Sequence, residues 1–230
     1  MRGSAHYYLN LSAITLSELY ATFFDGNIAP GRKILFERKD ERRRALESHG
    51  IETVATLIEA VNTPARIATL AKQCEMDQEY LTILARQARS YRPSPVALAR
   101  FADGDDPTPG ELAAHGIKNS RHLYDAVARM GSVDALSKTT GVGRRLLDEY
   151  VALADLVRVP GIGPVFARLF LGIGVRSVAE LAKSDPSDLA SRLRTHVEEV
   201  GYNGPQATEW DIAFCVDFAR KLCGGETPQA

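Results

Sequence analysis

The chain repeats itself. Shifted by 66 positions it overlays on itself without a gap: Leu46, His49, Gly50 and Ile51 fall on Leu112, His115, Gly116 and Ile117, and Leu57, Ala60 and Val61 fall on Leu123, Ala126 and Val127. Further on, Leu70, Lys72, Leu81 and Ala88 fall on Leu136, Lys138, Leu147 and Ala154. A third, partial copy starts at a shift of 124, where Gly50-Ile51, Thr53-Val54-Ala55 and Leu57 meet Gly174-Val175, Ser177-Val178-Ala179 and Leu181. Each copy reads as an apolar helix, a glycine that stops it, a buried aliphatic residue, a Ser/Thr cap and a second apolar helix. A unit this small cannot cover its own apolar face, so copies must stack.

Local punctuation points to helices throughout. Thr63-Pro64, Ser94-Pro95, Asp106-Pro107, Thr108-Pro109 and Asp185-Pro186 each set a capping side chain before a proline. The side-chain oxygen accepts from an orphan amide, and proline fixes φ where no donor is needed. Sustained two-residue alternation with β-branched enrichment is absent, so the expected class is all-α. Helices are expected over 15–24, 31–48, 53–61, 64–73, 77–90, 94–101, 108–114, 120–129, 132–138, 143–155, 164–172, 177–183, 186–197 and 206–222. Together they make tandem helix-hairpin-helix-type repeats in an irregular helical bundle. The expected divisions are an N-terminal helical cap over 1–40, a first repeat with a degenerate hairpin over 41–108, a second repeat with a partial third copy over 109–200, and a C-terminal docking helix and tail over 201–230.

Between the second and third copies lies Leu156-Val157-Arg158-Val159-Pro160-Gly161-Ile162-Gly163-Pro164-Val165-Phe166-Ala167-Arg168-Leu169. This reads as a helix, a glycine hairpin and a helix opened by proline. The amides of Gly161 and Gly163, with the positive end of the next helix, can form an anion cradle. Ile162 is expected to point inward, and Ala167 to permit close packing. The segment resembles a helix-hairpin-helix motif. The organisation over about residues 40–200, including Leu153-Ala154-Asp155-Leu156, resembles the bacterial family known as domain of unknown function 4332. That resemblance implies a helix-hairpin-helix fold and, by analogy with relatives of that fold, sequence-independent contact with DNA phosphates. The chain departs from the DNA-binding pattern where Lys or Arg is common: Pro164-Val165-Phe166 stands there. The matching region after the first copy, Phe101-Ala102-Asp103-Gly104-Asp105-Asp106, carries three carboxylates that repel phosphate.

Charge leaves two functional readings. With 28 basic and 29 acidic side chains the formal net charge is −1, which argues against a generally basic DNA-binding surface. Local basicity is available, however. Arg158 and Arg168 flank the hairpin, Arg144 and Arg145 follow a second glycine turn at Thr140-Gly141-Val142-Gly143, and a basic run ends in Arg42-Arg43-Arg44. In the first reading the protein binds DNA without sequence preference through Arg158, Gly161, Ile162, Gly163, Arg168, Arg144, Arg145, Arg42 and Arg43. In the second, it is a scaffold for proteins or for copies of itself, and the hairpin is only a packing turn.

Other chemistries find no footing. His6, His49, His115, His122 and His196 fall in no HExxH or His/Cys metal spacing, and no GxSxG elbow or phosphate-cradling Walker loop occurs. The expectation is therefore a non-enzymatic protein without cofactor or metal. His49 and His115 precede matching glycines, which suits an imidazole meeting the last carbonyls of a helix. Cys74, Cys215 and Cys223 form no CxxC pair, and no apolar run approaches the roughly 20 residues that span a bilayer. A protein of the reducing cytoplasm is expected. The apolar stripe of Trp210, Phe214, Phe218 and Leu222 should dock a final helix on the last copy.

Overall fold

The computed structural model describes residues 6–23 and 30–224, with Phe24 and the 225–230 tail outside them. Among the described residues there are thirteen α-helices and no strand, only two isolated β-bridges. The chain divides into two compact units.

The first unit is Asn10–Tyr91. It contains α1 (Leu16–Ala21), α2 (Lys39–Ser48), α3 (Val54–Ala60), α4 (Pro64–Gln73) and α5 (Gln78–Ser90). Helices α3 and α4 pack against α5, and α1 packs against α2. Leu16, Leu46, Val54, Leu57, Leu81 and Leu84 are wholly buried among them. The expected helix over 31–48 is interrupted: a 3-10 turn covers Pro30–Leu35, and Arg38 takes a left-handed φ of 47° before α2 begins. The caps behave as the sequence anticipates, with Thr63 Oγ1 accepting from the Arg66 amide at 3.2 Å. His49 follows α2, and its Nδ1 lies 2.8 Å from the Ala45 carbonyl.

The second unit joins Met1–Leu9 to Arg92–Ala230. Its helices are α6 (Thr108–Ala114), α7 (Ser120–Met130), α8 (Val133–Thr140), α9 (Arg144–Leu156), α10 (Pro164–Gly172), α11 (Val178–Lys183), α12 (Pro186–Glu199) and α13 (Glu209–Leu222). Helices α7 and α8 pack against α9, α9 packs against α10, and α11 and α12 pack against α13. The unit starts at Arg92, earlier than the expected division at 108–109, for a visible reason. Val96 and Leu98 exchange backbone hydrogen bonds with Ser120 and Lys118, at 2.8 and 3.1 Å. Those bonds hold 93–97 extended, so the helix expected over 94–101 shrinks to a 3-10 turn at Leu98–Arg100. Residues 6–9 join through Tyr7, whose hydroxyl lies 2.7 Å from Ser120 Oγ.

Matching sequence positions adopt matching local geometry. Gly50, Gly116 and Gly174 have φ of 77°, 77° and 84°. The residue after each donates back to the preceding helix: Ile51 to Leu46 O, Ile117 to Leu112 O and Val175 to Phe170 O. This is the six-to-one bond of a glycine-terminated helix, which only a residue tolerant of positive φ closes without strain. The start of the next helix differs in an informative way. Val54 and Ser120 donate their amides to the backbone carbonyls of Ile14 and Val96, whereas Val178 donates to the Asp155 carboxylate at 2.8 Å.

Candidate functional site

Helix α9 is the centre of the second unit, and a glycine turn stands at each of its ends. At its start, Gly141 has φ 76°, Val142 is buried, and Gly143 is extended and precedes Arg144. After its end, Gly161 has φ 89°, Ile162 is buried, and Gly163 is extended and precedes Pro164. Both turns place an aliphatic anchor between two glycines. The 13 residues of α9 separate them by about 20 Å. Gly161 is exposed, and the Gly161 and Gly163 amides meet no acceptor among the described residues. Ile162 points inward and Ala167 is wholly buried, as expected from the sequence.

The arginines are placed differently from the phosphate-contacting arrangement. Arg158 is only 3 % exposed. Its guanidinium pairs with Asp155, donates to the carbonyls of Tyr7 and His6 at 2.9 and 3.0 Å, and covers the Tyr124 ring at 4.4 Å. It holds the N-terminal segment within the second unit and its donors are already taken, which corrects the expectation of a free hairpin-flanking cation. Arg168 donates to Phe101 O and pairs with Asp103 and Glu149 at 3.0 and 3.2 Å. Arg144 is shared between Asp134 and Asp148. In the first unit, Arg42 is buried, donates to Ile34 O and Glu37 O, and covers Tyr80 at 4.1 Å; Arg43 pairs with Glu47 at 2.7 Å. Of the arginines named, Arg145 and Arg44 are exposed without a hydrogen-bond or ion-pair partner among the described residues. Val165, standing where a phosphate-contacting hairpin carries a cation, is 50 % exposed.

A concavity of the second unit runs along α9. It is a groove of about 850 Å³, lined by α7, α8 and α9 on the one hand and by α11 and the end of α13 on the other. Most of its apolar surface comes from small side chains, among them Val127, Ala128, Val133, Val151 and Ala179, with Tyr124 and Leu222 as larger ones. Arg144, Asp148, Val151 and Asp155 recur at intervals of three and four and so share one face of α9. Asp155 is the hinge of the arrangement. One carboxylate oxygen accepts from Arg158 and the other from the Val178 amide, joining α9 to the start of α11. At the α13 end, burial pushes the Cys223 thiol up, Asp155 adds to this, and Arg158 and Lys183 oppose it. Lys183 therefore lies within electrostatic reach of that end.

Among the described residues no group of three or more His, Cys, Asp or Glu is placed to hold a metal, and no helix is long and apolar enough to cross a membrane. The three cysteines are free.

Residues 108–221 match the model of the family described as Domain of unknown function (DUF4332). Over these residues, just under half of the chain, the protein resembles that family. The matched segment takes in both glycine turns, all of α9 and every groove residue except Leu222 and Cys223. The first unit, with its related local geometry, lies outside the match. No curated protein and no solved structure matches the chain.

The sequence reading passed over Asp155, whose role depends on an amide 23 residues away, and over the groove, which belongs to no segment. The likeness of Gly141-Val142-Gly143 to Gly161-Ile162-Gly163 was a legible signal for the second turn.

Proposed function

We propose that the protein is a non-catalytic docking module whose second unit receives a helical segment of a partner protein in the groove along α9. The observation that carries this reading is the groove itself, with a floor of small apolar side chains and charged residues at its ends. Small residues let a partner backbone come close, and helix-in-groove recognition draws its affinity from such an apolar floor. In this reading the copies found in the sequence are stacked helical units, and their stacking leaves the groove open.

Two facts weigh against the nucleic-acid reading. Counterion release needs cations that can reach phosphates, and most of the arginines singled out are held by carboxylates, carbonyls or aromatic rings. The apolar, half-exposed Val165 at the Gly161 turn suits a protein surface better than a phosphate. In favour of DNA stand the unbonded glycine amides and Arg145.

The test pairs two measurements on the full chain. Peptides of about 14 residues selected from a displayed random library should bind, and Ala128→Glu, at an exposed groove position, should abolish that binding. Anisotropy with labelled duplex DNA should show no association at about 50 mM salt. Tight duplex binding that falls steeply with salt and is lost in Arg145→Glu would reverse the assignment.

A further inference from the structure

Resting on that docking reading, the structure assigns the groove a partner of defined chemistry: an amphipathic helix of about three turns, acidic at one end and basic at the other. The assignment comes from how charge is distributed along α9. Among the residues that line the groove at its start, Asp134 and Asp148 share the single guanidinium of Arg144, which leaves one negative charge in excess there; the exposed Arg145 is not part of that lining. At its end, the Asp155–Arg158 pair is internally neutral and buried. There the α11 side adds Arg176 and Lys183, both exposed and without a carboxylate partner among the described residues, against Glu180 alone. Glu180 is already engaged, accepting from the Arg176 amide at 2.6 Å. That end therefore has one positive charge in excess.

The two ends are far enough apart to be read separately. The acidic end reaches as far as Asp148, seven residues from Asp155 on α9 or about 10 Å, which still exceeds the Debye length of about 8 Å at physiological salt. Between Asp148 and Asp155 the α9 lining is Val151, Ala152 and Ala154, which accepts a stripe of apolar side chains. A helix with carboxylates in its first turn and ammonium groups in its last complements both ends while running antiparallel to α9. The same order suits its own macrodipole. The tail beyond Gly224 is a poor occupant: Gly225-Glu226-Thr227-Pro228-Gln229-Ala230 has no large apolar side chain and one charge.

Two stapled helices of about 14 residues, each with an Ala/Leu stripe, serve as probes. The dipolar probe has two glutamates in its first turn and two lysines in its last; the dibasic probe has lysines at both ends. Binding is followed by fluorescence anisotropy at low salt, and occupancy by protection of Cys223, the exposed thiol lining the α13 end, from iodoacetamide. The wild-type protein should prefer the dipolar probe about tenfold, the scale expected of a few rim ion pairs. Arg176→Glu with Lys183→Glu, both at exposed positions, should reverse that order while leaving the helical circular-dichroism signal unchanged. Equal affinity for both probes with Cys223 protected by each overturns the charge assignment and leaves the docking reading standing. Failure of both probes to protect Cys223 overturns both readings.

Discussion

Replacing Asp155 with alanine tests the joint that holds α9, α11 and the N-terminal segment together. The Asp155 side chain is 8 % exposed and that of Arg158 is 2 % exposed, so solvent screens the pair little. Asp155→Ala strands a buried guanidinium, a change that costs about 3–5 kcal/mol in comparable sites. It also leaves the Val178 amide without its acceptor, worth about 1–3 kcal/mol when buried. The two losses are not additive, because both groups border the groove and water entering there restores part of each. The working figure is about 3 kcal/mol. Trp210, the only tryptophan, stands on α13, which packs against α11, so its fluorescence follows this unit during urea unfolding. With a urea dependence of about 1.5–3 kcal/mol per molar, the midpoint should fall by about 1–2 M. Arg158→Met in the Asp155→Ala background should recover part of the loss, since no unpaired charge then remains. A midpoint within about 0.3 M of wild type for Asp155→Ala would refute the reasoning, and so would a double variant weaker than the single one.

Two further outcomes follow from the packing. In the first unit, burial pushes Tyr80 and Tyr91 up to about 12 from an ordinary value of 10, against the opposing hydrogen bonds from Tyr20 and Thr22. Above pH 10 the unfolded chain releases these protons and the folded chain holds them, so stability present below pH 10 is lost as pH rises towards 12, by about 2–3 kcal/mol per tyrosine. Phenolate absorbance at about 295 nm should thus appear together with loss of the helical signal; full ionisation near pH 10.5 with helices intact would contradict it. In α10, a Cβ on Gly172 would lie 2.2 Å from His196 Nε2. Gly172→Ala should destabilise by about 1 kcal/mol because the imidazole must move. In a His196→Ala background it should instead stabilise by about 0.5–1 kcal/mol, the ordinary helical gain of alanine over glycine; the same sign in both backgrounds would refute the contact.

Much of the helical map was legible because its signals are local. The Thr63-Pro64 and Asp185-Pro186 pairs cap as their chemistry requires, with Asp185 accepting from Ser187 and Asp188. The inward Ile162 and the glycine stops likewise follow from covalent geometry. At Ser94-Pro95 a distant partner intervened. The Ser94-Pro95 signal lost to backbone bonds with Lys118 and Ser120, and the helix over 31–48 was broken at Arg38.

The arginines mark the boundary between the two kinds of information. Their spacing around the glycine turn was visible in the chain, but a guanidinium has a long reach and satisfies its donors on whatever folds beside it. Arg158 found carbonyls more than 150 positions away, and Arg168 found Phe101 and Glu149. Helix class, caps and the recurring glycine stops were written in short stretches of residues, because backbone hydrogen bonding and φ preferences act over a few positions. Which charges stay free and where a groove opens were settled only when α9 met α7 and α11, because burial and electrostatic pairing depend on neighbours in space.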